Sequence, residues 1–265
     1  MFRVGIFDSG LGGLTTLSSI VDIISNIEIY YIADTINAPY GDKTKEEILQ
    51  YSIDITEYLI STHNIDALIV ACNSATSHSI TYLRIHYPNL IIIGTEPAIK
   101  PACNKTITNH ISLLATQSTI QSDKYNILSS NLSKNKNVNI YNIACIGLVE
   151  LIENGDINSS NTRELLIKLL KPIKKNNNID TIVLGCTHYP LIKHIIEDIM
   201  SDKVNIIDSK EAISNYLLKK IIDKGHKNIG ETKINIFYTG KIKINMIDFI
   251  INRNKTISKI DIVTN

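Results

Sequence analysis

The sequence predicts an α/β protein of two similar lobes, each a mainly parallel sheet flanked by helices, with a site between them. Three observations carry this. Short apolar runs rich in Ile, Val and Tyr alternate with helix-period stretches along the 265 residues, the pattern of units that build parallel sheets. One run occurs twice: Asn64-Ile65-Asp66-Ala67-Leu68-Ile69-Val70-Ala71-Cys72-Asn73 returns as Asn178-Ile179-Asp180-Thr181-Ile182-Val183-Leu184-Gly185-Cys186-Thr187. Each copy reads as a buried parallel strand that ends on a cysteine and a small polar residue. The copies stand roughly 110 residues apart, the size of a small domain.

In chain order, strands are expected at Val4–Phe7, Glu28–Ala33, Ala67–Ala71, Leu90–Ile93, Ile111–Ala115, Asn139–Ala144, Thr181–Gly185, Val204–Ile207 and Ile234–Tyr238, each bounded by turn-forming residues. Thr44–Ser61 opens with the capping pattern Thr44-x-x-Glu47 and reads as a helix. Thr162–Lys171 and Pro190–Met200 carry helix-period apolar residues, the latter with Pro in its first turn. The repeat reaches beyond the cysteines: Val4-Gly5-Ile6-Phe7-Asp8-Ser9 resembles Ile111-Ser112-Leu113-Leu114-Ala115-Thr116, and Tyr31-Ile32-Ala33-Asp34 resembles Asn142-Ile143-Ala144-Cys145. A boundary near Glu96-Pro97-Ala98 gives a first lobe of residues 1–97 plus 208–265 and a second of residues 98–207. The segment after Asp208 has no counterpart in the second copy, so it is expected to return to the first lobe as a strand and helices.

Composition excludes several classes. A formal charge of +1 gives no argument for nucleic acid or a membrane surface as partner. No apolar run is long enough to span a bilayer, and Asp8 interrupts the apolar N-terminal stretch too early for a signal peptide. A cytoplasmic location is expected, where thiols stay reduced. The four cysteines, Cys72, Cys103, Cys145 and Cys186, show no C-x-x-C spacing, so no metal site is expected.

In open α/β sheets ligands sit at the carboxyl ends of strands, which puts one thiol at each of two equivalent functional edges. Two like groups facing one pocket suit a reaction that removes a proton from one face and returns it to the other. Around Cys72, Asn73 and Ser74 can cap the following helix and bind an anion, and a helix N-terminus lowers a thiol pKa from about 8.5. In Gly185-Cys186-Thr187-His188-Tyr189-Pro190-Leu191 an imidazole follows the thiol by two residues and can tune it or relay its proton. The same Cys-His pair permits nucleophilic catalysis, as in thiol hydrolases, but that leaves Cys72 idle. Cys103 and Cys145 read as buried structural thiols. Glu150 stands at an equivalent strand end of the second lobe as a candidate partner for the thiol–imidazole pair, although alone it would be read as a solvated helix acid. A Pro39-Tyr40-Gly41 loop could turn backbone N–H groups toward an anion; alone it reads as a plain turn.

The glycine-rich turn Asp8-Ser9-Gly10-Leu11-Gly12-Gly13 can cradle an anion with its N–H groups. A dinucleotide fingerprint would use Gly10 and Gly12, with Asp34 on the ribose. However, Thr15 occupies the third glycine's place, and Asp8 would set a negative charge beside the pyrophosphate. A small-molecule site is the better reading.

Together, Gly5-Ile6-Phe7-Asp8-Ser9-Gly10-x-Gly12-Gly13, Asp34-x-x-x-x-Pro39-Tyr40-Gly41, Cys72-Asn73-Ser74-Ala75, Glu96-Pro97-Ala98-x-Lys100-Pro101-Ala102 and the Gly185–Leu191 block resemble the glutamate racemases of the aspartate/glutamate racemase superfamily. Ser74 stands where the family usually has Thr, and Thr95 where it has an apolar residue. The resemblance implies a cofactor-independent racemase with its site between two lobes, supplying D-glutamate for bacterial peptidoglycan and so for cell-wall biogenesis and cell shape. It implies that Cys72 and Cys186 are the acid/base thiols, that Asp8 assists Cys72, and that Glu150 and His188 assist Cys186. Asp8, Ser9, Tyr40, Gly41, Asn73, Ser74, Thr116, Thr187 and His188 would line the substrate site, with glutamate as the partner. The oligomeric state stays open, a homodimer among the choices. Aspartate racemisation, thiol hydrolysis or acyl transfer, and amino acid binding without catalysis are the alternatives. Because the first strand begins at Arg3, without the N-terminal extension that helps some glutamate racemases bind an activator, substantial basal activity without UDP-N-acetylmuramoyl-L-alanine is expected.

Overall fold

A computed structural model describes residues 1–201, 204–251 and 257–264. Among the described residues, ten strands form two sheets: β1 Phe2–Asp8, β2 Ile27–Ala33, β3 Ala67–Val70, β4 Ile91–Gly94, β5 His110–Ala115, β6 Asn139–Ala144, β7 Thr181–Gly185, β8 Asn205–Ile207, β9 Thr232–Tyr238 and β10 Ile257–Thr264. The first sheet runs β10-β9-β2-β1-β3-β4 and the second β6-β5-β7-β8. Every pairing is parallel, so the fold is α/β. The order β2-β1-β3-β4 recurs as β6-β5-β7-β8, which gives the sequence duplication its three-dimensional form. The segment after Asp208 supplies β9 and β10 to the free side of β2.

The helices are α1 Leu14–Ile23, α2 Lys45–His63, α3 Asn73–His86, α4 Ile99–Lys105, α5 Gln117–Gln121, α6 Asp123–Lys136, α7 Leu148–Glu153, α8 Ser160–Lys175, α9 Lys193–Met200, α10 Lys210–Ile222 and α11 Ile244–Ile250. The start of α2 carries the capping box read from Thr44 and Glu47, with both reciprocal bonds made. The helix expected over Pro190–Met200 is divided. Tyr189–Ile192 forms a 3-10 turn and α9 begins at Lys193. Pro190 has no N–H to donate, and the tight i to i+3 bond from Leu191 N–H to the His188 carbonyl closes the turn directly behind the cysteine.

Successive strand residues face opposite sides of a sheet, and in the central strands β1, β3, β5 and β7 both sides are buried. Val4, Ile6, Ile29, Tyr31 and Ile69 of the first sheet join Leu114, Ile182 and Leu184 of the second in one continuous core with α1, α8, α9 and α10. Phe7, Ile32, Leu68 and Val70 pack outward against α2 and α3. Ile111, Leu113 and Val183 face a third cluster with α4 and Tyr125 of α6. The shared core fixes the sheets against each other, so the carboxyl ends of β1 and β3 face those of β5 and β7 across one cleft.

Candidate active site

In each sheet the chain departs from a central strand to opposite sides, and the crevice at such a reversal is where ligands bind. The first sheet brings Ser9 from the end of β1 and Cys72 from the end of β3. The second brings Thr116 from β5 and Cys186 from β7. They surround one cavity, which Tyr40, Gly41, Asn73, Ser74, Glu150, Thr187 and His188 also line. Of the residues expected at the site, Asp8 alone stands behind this wall, fully buried.

Cys72 is the N-cap of α3, and its sulfur accepts the Ala75 N–H at 3.5 Å. Ser9 Oγ lies 3.7 Å from that sulfur. The sequence expectation of a helix N-terminus lowering this thiol is reversed: burial, reinforced by the charge of Asp8, pushes Cys72 up to about 12. Desolvation of a thiolate outweighs one amide contact here.

Cys186 is the other half. Its sulfur lies 3.5 Å from His188 Nδ1, and His188 Nε2 bonds the Glu153 carboxylate. Burial opposes charge on both His188 and Glu153. The hydrogen bonds and charges of Cys186 and Glu153 nevertheless hold the imidazole well above its ordinary value. His188 and the N–H groups of Leu11 and Gly12 hold Glu153 below the usual carboxylate range. Both shifts favour the charged forms, imidazolium and carboxylate, with the imidazole set against the Cys186 sulfur.

Glu150 was expected as the acid partner of this pair. That side chain is exposed at the rim of the cavity, whereas the carboxylate that engages the thiol–imidazole pair is Glu153, one helical turn further on. Three residues along a helix bring a different side chain to bear on the cleft. A signal was present: Glu153 is the last residue of α7, where the negative helix end penalises an acid unless a cation meets it.

The glycine-rich turn does bind an anion, but one from the protein itself. Leu11 N–H donates to Glu153 at 2.6 Å. A Cβ on Gly10 would lie 2.1 Å from a Glu153 carboxylate oxygen, and one on Gly12 would lie 2.4 Å from His188 Nδ1. The glycines thus let the first lobe's backbone close on the second lobe's dyad. Asp8 accepts the Gly10 N–H and the Thr187 hydroxyl, both at 3.0 Å, and burial raises its carboxyl. One of these bonds stays within the glycine-rich turn and the other, from Thr187, crosses the cleft.

The remaining residues close the walls. Ser74 Oγ meets Thr116 Oγ1 at 2.9 Å across the cleft. One N–H of the Asn73 amide goes to the Thr95 carbonyl at 3.0 Å, a backbone contact that tolerates the unusual side chain at position 95. The Tyr40 hydroxyl donates to Asp34 at 2.6 Å, and Thr239 donates to the same carboxylate at 2.9 Å. Asp34, the ribose acid of the dinucleotide reading, is thereby spent on holding the loop that carries Gly41. Cys145 lies beside the Tyr189 hydroxyl and, like Cys103, does not line the cavity. Among the described residues, no group of three or more His, Cys, Asp or Glu side chains could hold a metal ion, and no helix is long and apolar enough to cross a membrane.

The profile of the family described as Asp/Glu/Hydantoin racemase matches residues 21–217. The glutamate racemase of Aliarcobacter butzleri is 50% identical over 98% of this chain and 100% of its own. That of Sulfurovum is 50% identical over 94% of each. The crystal structure of a glutamate racemase from Bacillus anthracis superposes with a TM-score of 0.83 at 30% identity, covering 99% of this chain and 97% of the other. The Francisella tularensis enzyme in complex with D-glutamate gives 0.81 at 25% identity, with the same coverage. With this fold and this site, the chain belongs to the Asp/Glu/hydantoin racemase family and is an enzyme of its glutamate racemase branch.

Proposed function

We propose that the chain interconverts L- and D-glutamate by proton transfer at Cα between two thiols on opposite faces of the substrate. The observation that carries this reading is the pair Cys72 and Cys186, set by equivalent strands of a repeated four-strand unit on one cavity. For L-glutamate, Cys186 as thiolate takes the Cα proton and the Cys72 thiol delivers its own to the opposite face. The product leaves with Cys186 as thiol and Cys72 as thiolate, the state that accepts D-glutamate for the reverse turnover. The direction assigned to each thiol follows the family resemblance. The high position of Cys72 suits the acid in the first direction, and the imidazolium of His188 compensates the thiolate charge of Cys186.

General acid–base transfer contributes roughly 10²–10⁴-fold. The rest of the acceleration falls to donors around the developing enolate-like carboxylate and to exclusion of water. Asn73, through its remaining N–H, Ser74, and Thr187, through its backbone N–H because its hydroxyl goes to Asp8, are the donors proposed for the α-carboxylate. Ser9 and the Tyr40-Gly41 backbone are those proposed for the γ-carboxylate. All proton-handling groups come from side chains, so the reaction is proposed to need no cofactor or metal. D-glutamate made in the cytoplasm would feed peptidoglycan synthesis.

The test is circular dichroism of L- or D-glutamate incubated with purified Cys72→Ala and Cys186→Ala proteins. Each variant is expected to be inactive in both directions. Full activity in either would end the two-thiol reading.

A further inference from the structure

Thr15 is buried at the start of α1, and the reaction as described makes no use of it. Its hydroxyl lies 2.9 Å from each of two carbonyl oxygens, that of Gly12 in its own turn and that of Thr187 from the second lobe. Gly12 already receives the Thr15 backbone N–H at 3.0 Å, so its carbonyl is satisfied whichever way the hydroxyl points. The Thr187 carbonyl is the partner for which the hydroxyl matters.

Thr187 sits between Cys186 and His188, and its own hydroxyl is held by Asp8 at 3.0 Å. The first lobe thus grips this residue twice, by its side chain and by its backbone. Fixing the carbonyl fixes the plane of the peptide that leads into His188, and that plane sets where the imidazole stands relative to the sulfur 3.5 Å away. Gly12 packs against the same imidazole, so the ring has a wall on one side and an oriented peptide at its root.

We propose that Thr15 is a positioning residue for the Cys186 half of the site, its hydroxyl holding the Thr187–His188 peptide across the lobe boundary so that His188 meets the Cys186 sulfur. The proposal rests on the reading that Cys186 is one of two bases. It has a consequence that loss of stability alone does not: proton transfer at Cys186 becomes harder while transfer at Cys72 is untouched.

The experiment compares Thr15→Val, which keeps the shape without the hydroxyl, with Thr15→Ser, which keeps the hydroxyl. Loss of one neutral hydrogen bond lowers kcat/KM in Thr15→Val by about 3- to 10-fold. The α-deuterium isotope effect on kcat/KM then separates the two thiols. For the enantiomer deprotonated by Cys186 it rises, because that step becomes more limiting. For the other enantiomer it falls, because its own deprotonation at Cys72 becomes less limiting. Thr15→Ser restores both. If Thr15→Val does not fold, Thr15→Ala carries the same measurement, and failure of both to fold would overturn the proposal by assigning Thr15 to stability. Wild-type kcat/KM, or isotope effects that move together, would overturn it as well. Racemisation by Cys186→Ala would instead remove the two-base reading beneath it, so the two failures are distinguishable.

Discussion

Gly12→Ala tests whether the glycine-rich turn exists to admit the second lobe's dyad. The added methyl would lie 2.4 Å from His188 Nδ1, 2.5 Å from Cε1 and 2.7 Å from Cγ. Ordinary contact begins at 3.4 Å, so the ring or the turn must yield by about 1 Å. The ring is poorly placed to yield: His188 is 2% exposed, bonded to Glu153 on one nitrogen and set against Cys186 on the other. Overpacking of this kind costs about 1–3 kcal/mol of stability. A displacement of about 1 Å at a reacting group costs on the order of 10²-fold in rate. The assay is kcat/KM for each glutamate enantiomer together with urea denaturation. Both kcat/KM values are expected to fall by about 10²-fold, and equally, since the equilibrium constant between enantiomers is one. Gly225→Ala is the control. That glycine has φ +85°, and a methyl added there would meet nothing within 4 Å. The variant should lose about 1–2 kcal/mol to backbone strain and keep its activity. A folded Gly12→Ala enzyme with wild-type kcat/KM would refute the reasoning.

Glu153→Gln removes the charge partner of His188 and should lower kcat/KM by about 10-fold or more, as expected for a charged hydrogen bond, whereas Glu150→Gln at the exposed rim should change it little; steady-state kinetics of the two variants decides between the acids. Tyr40→Phe deletes the donor to buried Asp34, so unfolding free energy should fall by about 1.5–3 kcal/mol and KM should rise more than kcat falls, read by denaturation and initial rates. Asp180, held by Thr106, Thr181 and the N–H groups of Ile107 and Thr108 against a burial penalty, lies at about 2. A depressed carboxylate contributes stability that is present above its ordinary value of 3.8 and lost as pH falls toward about 2. Asp180→Asn should therefore be less stable than wild type at pH 7, with a gap that narrows below pH 4; urea midpoints that stay equally spaced would contradict this. Cys103→Ala and Cys145→Ala should racemise glutamate, since neither thiol lines the cavity, and an inactive but folded variant of either would reopen its role.

The sheet architecture was legible because both faces of the central strands β1, β3, β5 and β7 are buried. Ala67–Val70 and Thr181–Gly185 are apolar at every position or nearly so, which is how a doubly covered parallel strand is written. The duplication was legible for the same reason, and it gave the two thiols. β10 was not foreseen, since Ile257–Thr264 alternates with charged and polar residues and lacks an unbroken apolar run. Glu153 was missed because helical side-chain direction cannot be read from a strand-end alignment that stops at Glu150. The direction of the Cys72 shift was missed because a sequence displays the helix N-terminus but not the depth of burial. Thr15 looked like a defect in a nucleotide fingerprint, and only the fold brings its hydroxyl to Thr187.

The central claim is that two thiols work on opposite faces, and the isotopic course of a partial reaction tests it most directly. Protiated L-glutamate is incubated with the enzyme in D₂O, the reaction is stopped after a few per cent conversion, and the Cα position of each enantiomer is analysed by mass spectrometry. Two bases predict D-glutamate that carries deuterium at Cα and recovered L-glutamate that remains protiated, because the proton removed by Cys186 is not the one supplied by Cys72. D-glutamate that retains the substrate proton, or deuterium appearing equally in both enantiomers at that stage, would mean that a single base serves both faces and would contradict the account.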